Sequence, residues 1–239
     1  MPRIEIEHLS VTYLGKKKQE YPALKDVSCI FPNGQISAIM GGSGSGKTSL
    51  FRALTSQLAY DGVIRSDGID ISTLTPKERR LAYVQQEFAL YPHLTVFDNL
   101  AFPLKLNRED YSSITSKVKE MAAKLDLSFL LSRKPRQLST GQIQKVCLGR
   151  ALIKDPDLLL LDEPLSNVDG PQREELLNVI EKTLKEAHLT AIYITHRLEE
   201  ALRVASNVYF LEEGRLVDIQ PTSSLRNSVA AFSLWGNKE

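Results

Sequence analysis

A run of eight residues combines glycines, a lysine and a hydroxyl in a spacing suited to holding an anion. Residues 41–48 read Gly-Gly-Ser-Gly-Ser-Gly-Lys-Thr, the pattern G-x-x-x-x-G-K-[ST]. The glycines let successive backbone N–H groups face one anion, Lys47 adds a positive charge, and Thr48 can ligate Mg²⁺. A predicted buried strand (36–40) enters the run and a predicted helix (49–58) leaves it, so a phosphate would meet a helix N-terminus. The pattern predicts binding of a nucleoside triphosphate.

An acidic pair follows the most apolar stretch of the chain. Residues 158–161 are four leucines, typical of a central parallel strand, and Asp162 and Glu163 come directly after them. Ligands of open α/β sheets bind at the carboxyl ends of the strands, where residues 41–48 also emerge. An aspartate there can hold Mg²⁺, and a glutamate beside it can orient or deprotonate an attacking water. Together these groups predict hydrolysis of the triphosphate, which depends mainly on positioning and charge stabilisation.

The remaining patterns predict an α/β core interrupted by helices. Strand-like alternation begins the chain, and helical spacing of apolar residues dominates the segment 88–153. Asn33-Gly34 between two apolar runs predicts a β-hairpin, and a second hairpin is expected around residues 212–215. At 239 residues the chain fits one sizeable domain with an inserted subdomain.

Composition excludes several classes of partner. The net charge of +1 provides no field for nucleic acid or an anionic membrane surface. No apolar run could span a bilayer, and no signal peptide is expected at the N-terminus, so we expect a soluble protein that reaches membranes only through a partner. Cys29 and Cys147 are far apart in sequence and outside any C-x-x-C spacing, which favours reduced thiols in the cytosol.

The order of the motifs carries a family resemblance. Residues 138–142, Leu-Ser-Thr-Gly-Gln, resemble the L-S-G-G-Q signature of ATP-binding-cassette (ABC) ATPases, and they lie between the loop 41–48 and the Leu-Leu-Asp-Glu-Pro of residues 160–164. The resemblance runs from Ile4 to about Phe232. It implies a P-loop NTPase fold of class α/β, with a RecA-like core, an N-terminal antiparallel β subdomain and an inserted α-helical subdomain. The implied single domain, 1–239, divides into a core (1–87 and 154–239) and a helical subdomain (88–153).

The resemblance also implies roles for individual residues. Tyr13 matches the aromatic that stacks on adenine, although an ordinary strand tyrosine is the alternative. Gln86, favoured over Gln85, matches the Q-loop glutamine that ligates Mg²⁺, and His196 matches the switch histidine that contacts the γ-phosphate. The implied catalytic residues are Glu163, His196, Lys47 and Gln86. The implied Mg²⁺ ligands are Thr48, Gln86 and Asp162. The implied ATP-binding residues are Tyr13, Gly41, Gly42, Ser43, Gly44, Ser45, Gly46, Lys47, Thr48, Ser49 and Asp162.

In this family the signature faces the nucleotide of a second subunit. A helix beginning near Ser139 offers a hydroxyl, N–H groups and a dipole to the partner's γ-phosphate. ATP then joins two subunits, and hydrolysis releases them. Thr140 replaces a family glycine, and Arg197 stands where an acidic or amide residue is common. The residues implied to face the partner's nucleotide are Ser139, Thr140, Gly141, Gln142 and, in the D-loop 166–169, Asp169.

The segment 89–100 is similar to that of bacterial importer ATPases for sugars, polyamines, oxyanions or iron, where it lines the groove for a membrane subunit. This implies an ATPase at the inner face of the cell membrane, with a second ABC ATPase subunit, transmembrane permease subunits and, indirectly, an extracellular solute-binding protein as partners. Carbohydrate is the expected solute. Many such ATPases continue into a regulatory β-domain, which we expect to be lacking because the chain ends at Glu239.

Three alternatives stay open. The first is a soluble ABC ATPase for cluster assembly, DNA repair or translation, although the double cassettes and long coiled coils of some of these are missing from the sequence. The second is the ATPase of an exporter. The third concerns the pair itself, which can consist of two copies of this chain or of two different ATPases.

Overall fold

The computed structural model describes residues 2–15, 19–86 and 89–227. The end of the family resemblance, up to Phe232, lies outside these residues. Contacts divide the chain into two compact units, one formed by the residues up to Arg79 together with those from His188 onward, and the other by Arg80–Ala187. Within the described ranges, no helix has both the length and the hydrophobicity needed to cross a membrane. The predicted subdomain boundaries at 88 and 153 remain a prediction.

The first unit opens with an antiparallel sheet. The elements of this part are β1 (Ile4–Leu14), β2 (Glu20–Phe31), β3 (Ile36–Met40), α1 (Lys47–Leu54), β4 (Asp61–Ser66), β5 (Ile69–Asp70) and a 3₁₀ turn at Ile71–Thr73. The sheet has the strand order β2-β1-β4-β5. Alternate residues of β1 and β2 are buried, which is the pattern of strands with one covered face.

The hairpin expected at Asn33-Gly34 is wrong, although the turn exists. Gly34 adopts a left-handed φ of 63°, as a tight turn requires. The two flanking strands nevertheless join different sheets, because β2 pairs with β1 whereas β3 pairs elsewhere. All five residues of β3 are buried, which suits a central strand covered on both faces and not the half-exposed arm of a hairpin.

The second unit is mainly helical. Its elements are β6 (Leu81–Val84), α2 (Val96–Leu106), α3 (Tyr111–Lys124), α4 (Thr140–Leu152), β7 (Leu158–Asp162), α5 (Gly170–Ala187) and 3₁₀ turns at Ser128–Leu130 and Pro135–Gln137. Strands β6 and β7 are parallel neighbours. Thr95 and Asp110 cap α2 and α3 by accepting N–H hydrogen bonds from the first turns. Gly149 of α4 allows close helix packing, since a Cβ there would lie 2.8–2.9 Å from Leu125 and Leu100.

The chain then returns to the first unit. The last elements are β8 (Thr190–Ile194), α6 (Leu198–Val204), β9 (Asn207–Glu212), β10 (Arg215–Pro221) and α7 (Thr222–Asn227). Here β3 is parallel to both β8 and β9, in the order β10-β9-β3-β8. The hairpin predicted around residues 212–215 is confirmed, because β9 and β10 pair antiparallel. Since Ile39 is in register with Ile194, the residues that follow β3 and β8 emerge at the same sheet edge.

Both cysteines are free thiols, and both are buried. Burial raises the pKa of the Cys29 thiol to about 12. Burial likewise raises the pKa of the Cys147 thiol to about 11, in spite of the opposing charge of Arg150. Both groups are therefore protonated at neutral pH, and a protonated thiol reacts slowly.

Removing one leucine side chain from β7 tests how much stability that strand provides. Leu160 has no exposed surface, so we expect Leu160→Ala to lower the free energy of unfolding by about 2–5 kcal/mol through lost burial and a cavity. The control is Leu106→Ala at the end of α2, where the side chain is 69% exposed. That substitution should change the free energy of unfolding by less than about 0.5 kcal/mol. Urea denaturation of both variants measures the difference, and equal losses would contradict the described burial.

Candidate functional site

The loop after β3 holds a lysine side chain in place. Lys47, the first residue of α1, is only 7% exposed. Its Nζ donates hydrogen bonds of 2.8 Å to the carbonyl oxygens of both Gly41 and Gly42. The ammonium group therefore lies over the loop and close to the N-terminus of α1. Since the N–H groups of the first helical turn have no partner within the helix, this end of α1 combines donors and positive charge suited to a phosphate.

Two glycines of this loop are required by close packing. A Cβ at Gly41 would collide with the carbonyl oxygen of Leu211 and with the Ser45 hydroxyl. Gly46 caps α1 with a left-handed φ of 105°, and a Cβ there would lie 2.5 Å from the carbonyl oxygen of Ala23. Gly42 differs from both, because a Cβ there would meet nothing within 4 Å. The loop is thus packed tightly against its own unit at some positions and open at others.

Gly41→Ala and Gly42→Ala form a matched pair within this loop. Gly41→Ala must displace either the loop or Leu211, so we expect it to cost about 1–3 kcal/mol of unfolding free energy. Gly42→Ala adds the same methyl group in open space and should change stability by less than about 0.5 kcal/mol. Thermal and chemical denaturation compare the two variants. A Gly41→Ala protein as stable as the Gly42→Ala protein would contradict the packing described for the loop.

Tyr13 lies beside the helix that follows the loop. Its hydroxyl shares a 3.1 Å hydrogen bond with the Ser49 hydroxyl in the first turn of α1. The ring comes from the end of β1, and its side chain is half-buried. The structure therefore places the predicted aromatic residue beside the helix that follows loop 41–48, both within the first unit.

A buried carboxylate organises the end of β8. Glu200 in α6 accepts hydrogen bonds from the hydroxyls of Tyr193 (3.1 Å) and Thr195 (2.7 Å). The backbone N–H of Arg197 in turn donates to the Thr195 hydroxyl at 3.0 Å. His196 lies between these two anchored residues and has an exposed side chain. The network fixes the backbone on both sides of the histidine, at the sheet edge where the phosphate loop also begins.

The acidic pair closes β7 in the second unit. Asp162 is only 3% exposed, and its Oδ2 accepts a 2.9 Å hydrogen bond from the Tyr83 hydroxyl. Glu163 is half-buried and has a left-handed φ of 44°, which is uncommon for a residue with a side chain. The turn that follows is closed by the N–H of Ser166, which donates to the Glu163 carbonyl.

A side-chain hydrogen bond links the predicted Q-loop and D-loop segments. The Asn167 amide Nδ2 donates to the backbone carbonyl of Gln86 at 3.3 Å. Gln86 and Asp169 both have exposed side chains, open to ligands or partners. Arg173 supports the same turn by donating to the Val168 carbonyl at 2.8 Å.

The signature segment forms the start of α4. Ser139 caps the helix by accepting from the N–H of Gln142 at 3.3 Å, and the Gln142 side chain accepts from the Ser139 N–H at 3.0 Å. This reciprocal capping box fixes the serine hydroxyl at the helix N-terminus. Because the hydroxyl acts as an acceptor here, its O–H can still donate a hydrogen bond to another group. Thr140 is the first helical residue, and a Cβ at Gly141 would meet nothing within 4 Å.

The predicted site residues thus fall into two sets. The first unit holds Tyr13, residues 41–49 and His196, and the second holds Gln86, residues 139–142, Asp162, Glu163 and Asp169. Sequence reasoning missed Tyr83, Asn167 and Glu200. A tyrosine in an apolar strand is usually a packing residue, and a glutamate in a helix is usually exposed to solvent. The types of Tyr83 and Glu200 therefore gave no signal. Asn167 does lie inside the predicted D-loop, and that position was the available signal.

Comparison with known proteins identifies the family. The ABC transporter family profile matches residues 24–166, which is more than half of the chain. The chain belongs to this family, and its α/β architecture with the phosphate loop is that of the P-loop NTPase fold. Two solved structures of the ATP-binding cassette MJ0796 superimpose with TM-scores of 0.80 and 0.81, at 26% and 27% identity, over 92% of this chain and 98% of theirs. Both are described as dimeric, and one as a post-hydrolysis state bound to ADP and Pi.

Two curated relatives are named as import ATP-binding proteins for oxyanions. The chain is 41% identical over 214 residues to the molybdate/tungstate import ATP-binding protein WtpC of Thermococcus kodakarensis, covering 89% of this chain and 64% of the relative. It is 38% identical over 216 residues to the sulfate/thiosulfate import ATP-binding protein CysA of Burkholderia mallei, covering 88% and 62%. The chain therefore spans less than two thirds of the length of these relatives.

Proposed function

We propose that this chain is the ATP-binding and ATP-hydrolysing subunit of an ABC importer. The observation that carries the proposal is the loop 41–48, in which a buried Lys47 ammonium lies over the loop carbonyls at the N-terminus of α1. A triphosphate can replace these carbonyls as the partner of the ammonium and accept hydrogen bonds from the N–H groups of the loop and the helix. In this proposal Tyr13 stacks on the adenine, because its hydrogen bond to Ser49 holds it beside that helix.

The proposed cation is Mg²⁺, and the available donors suit it. Thr48, Gln86 and Asp162 offer a hydroxyl, an amide and a carboxylate, and Mg²⁺ prefers such oxygen ligands. Asp162 ends β7, and a carboxylate there belongs to the oxygen groups that bind Mg²⁺ in proteins. Bound Mg²⁺ would neutralise charge on the phosphates. Asp162 supplies the negative charge that attracts it, and Thr48 belongs to the same loop and helix as Lys47.

Glu163 is the proposed residue that orients the attacking water. Its carboxylate follows directly after Asp162, and its left-handed backbone turns the chain away from the strand direction at this point. The half-buried side chain keeps partial access to solvent and hence to water. His196, fixed on both sides by the Thr195–Glu200 network, is the proposed contact of the γ-phosphate.

Glu163→Gln separates binding from hydrolysis. The amide retains shape but cannot accept a proton, so we expect ATP turnover to fall by at least about 100-fold while ATP affinity stays near that of the unmodified chain. The control is Glu186→Gln, the same substitution at an exposed position of α5. Phosphate release and ATP titration measure the two properties. Turnover within twofold of normal in the Glu163→Gln protein would remove this residue from the mechanism.

The working unit is proposed to be a pair of ATPase subunits. The capping box fixes the Ser139 hydroxyl at the N-terminus of α4. From there the hydroxyl can donate a hydrogen bond to a phosphate held by another subunit. The open space around Gly141 leaves room for such an approach. The dimeric cassettes that resemble this chain support the pairing. Thr140 remains a departure that the structure does not explain.

A cavity in the second unit supports a membrane partner. It has a volume of about 290 Å³ and is lined by residues of β6, α2, α4 and the segment after β6. The Tyr91 ring packs 4.4 Å from the ring of Phe102, and the Arg150 guanidinium lies 5.3 Å from the Tyr91 ring centre. Aromatic faces and a cation suit an amphipathic helix of a permease subunit. The chain would then act at the inner face of the membrane, with a solute-binding protein as an indirect partner.

The proposed solute is an oxyanion. The expectation of carbohydrate finds no support among the relatives compared, whose names specify molybdate and tungstate or sulfate and thiosulfate. Since solute contacts belong to other chains of a transporter, this choice rests on the names of the relatives and not on a side chain of this protein.

Uptake by cells tests the solute. With Lys47→Ala in the chromosomal copy, ATP binding should fail, so uptake of labelled molybdate or sulfate should fall by about tenfold or more while sugar uptake is retained. The control strain carries Lys185→Ala, which changes an exposed lysine of α5. Loss of sugar uptake with normal oxyanion uptake would overturn the choice of solute. Normal uptake of both would overturn the proposal that the chain is the ATPase of an importer.

A further inference from the structure

One side chain of the second unit touches both the acidic strand and the cavity. Tyr83 lies on β6, and its hydroxyl donates a 2.9 Å hydrogen bond to Asp162 Oδ2. The same residue lines the cavity formed with Tyr91, Phe102 and Arg150. Resting on the function proposed above, we propose that Tyr83 is a positioning residue that holds the Asp162 carboxylate in the orientation needed to bind the divalent cation.

Strand register explains why a tyrosine at this position reaches the carboxylate. Tyr83 pairs with Leu160 in the parallel ladder of β6 and β7. Asp162 lies two residues farther along β7 and therefore on the same face as Leu160. Two strand residues span about 6.6 Å, which is within reach of a phenol pointing along the strand direction. A shorter side chain at position 83 could not place a hydroxyl there.

The Tyr83 hydroxyl acts on the Asp162 carboxylate by holding it in one orientation. A phenol hydroxyl donates one hydrogen bond to the carboxylate and leaves its other lone pairs available to a cation. The bond restricts rotation of the carboxylate, and such restriction lowers the entropic cost of binding a cation with strict geometry.

The position of Tyr83 also ties the carboxylate to the segment that follows β6. Gln86 is three residues further along, and its carbonyl accepts from Asn167 of the turn after β7. Two hydrogen bonds, one at each end of the segment 83–86, therefore join it to residues 162–167. An occupant of the cavity that moves the Tyr83 ring would change the orientation of Asp162, and cation binding would by linkage change the affinity for that occupant.

The test is Tyr83→Phe, which removes the hydroxyl and keeps the ring in the strand. The probe is Mn²⁺, titrated into the chain with a non-hydrolysable ATP analogue and followed by electron paramagnetic resonance. We expect about tenfold weaker Mn²⁺ affinity, unchanged affinity for the analogue in EDTA, and ATP turnover that recovers at high Mg²⁺. The control is Tyr111→Phe, the same change on a ring that is 73% exposed.

A double substitution separates positioning from a structural role. In an Asp162→Asn background, Tyr83→Phe should not weaken Mn²⁺ binding further, because the group that it orients is already lost. Equal Mn²⁺ affinity of the Tyr83→Phe and unmodified proteins overturns the inference about Tyr83 and leaves the proposed function standing. Additive losses in the double variant also overturn it. An unmodified chain that neither hydrolyses ATP nor binds Mn²⁺ with the analogue overturns the proposed function itself.

Discussion

Buried charged groups need polar partners, and this requirement applies to the lysine at the start of α1 in the first unit and to the aspartate at the end of β7 in the second. Lys47 and Asp162 are more than nine-tenths buried, and each has hydrogen-bond partners within its own unit. The lysine uses carbonyl oxygens of the loop that it follows, and the aspartate uses the hydroxyl of a tyrosine on the neighbouring strand. Because an uncompensated ion would cost several kcal/mol (order of magnitude), the surrounding backbone must keep these partners in place.

The local elements were predictable where one pattern determined them. Four leucines followed by Asp162 specify a buried strand with a polar end, and the glycine spacing before Lys47 specifies a loop that curls around an anion. The serine and glutamine of the signature likewise anticipate a helix start, and the capping box of Ser139 and Gln142 forms there. In each case the deciding interactions lie within a few residues of one another.

Features that depend on distant neighbours escaped prediction. The turn at Asn33-Gly34 forms as its local chemistry dictates, but strand pairing depends on which faces become buried, and β3 is buried on both. Tyr83 becomes a polar partner only through a tertiary contact with Asp162, which lies 79 residues further along the chain. A single sequence shows residue types and spacing, and it does not show which side chains meet across strands.

The two buried thiols have a practical consequence for observing this molecule. With pKa values near 11 and 12, Cys147 and Cys29 present almost no thiolate to alkylating reagents at neutral pH. These are the two cysteines of the sequence. A cysteine introduced at an exposed position would therefore take up a spin label or fluorophore against a nearly silent background. The proposed nucleotide-driven association of subunits can then be tested by distance spectroscopy without first removing the native cysteines.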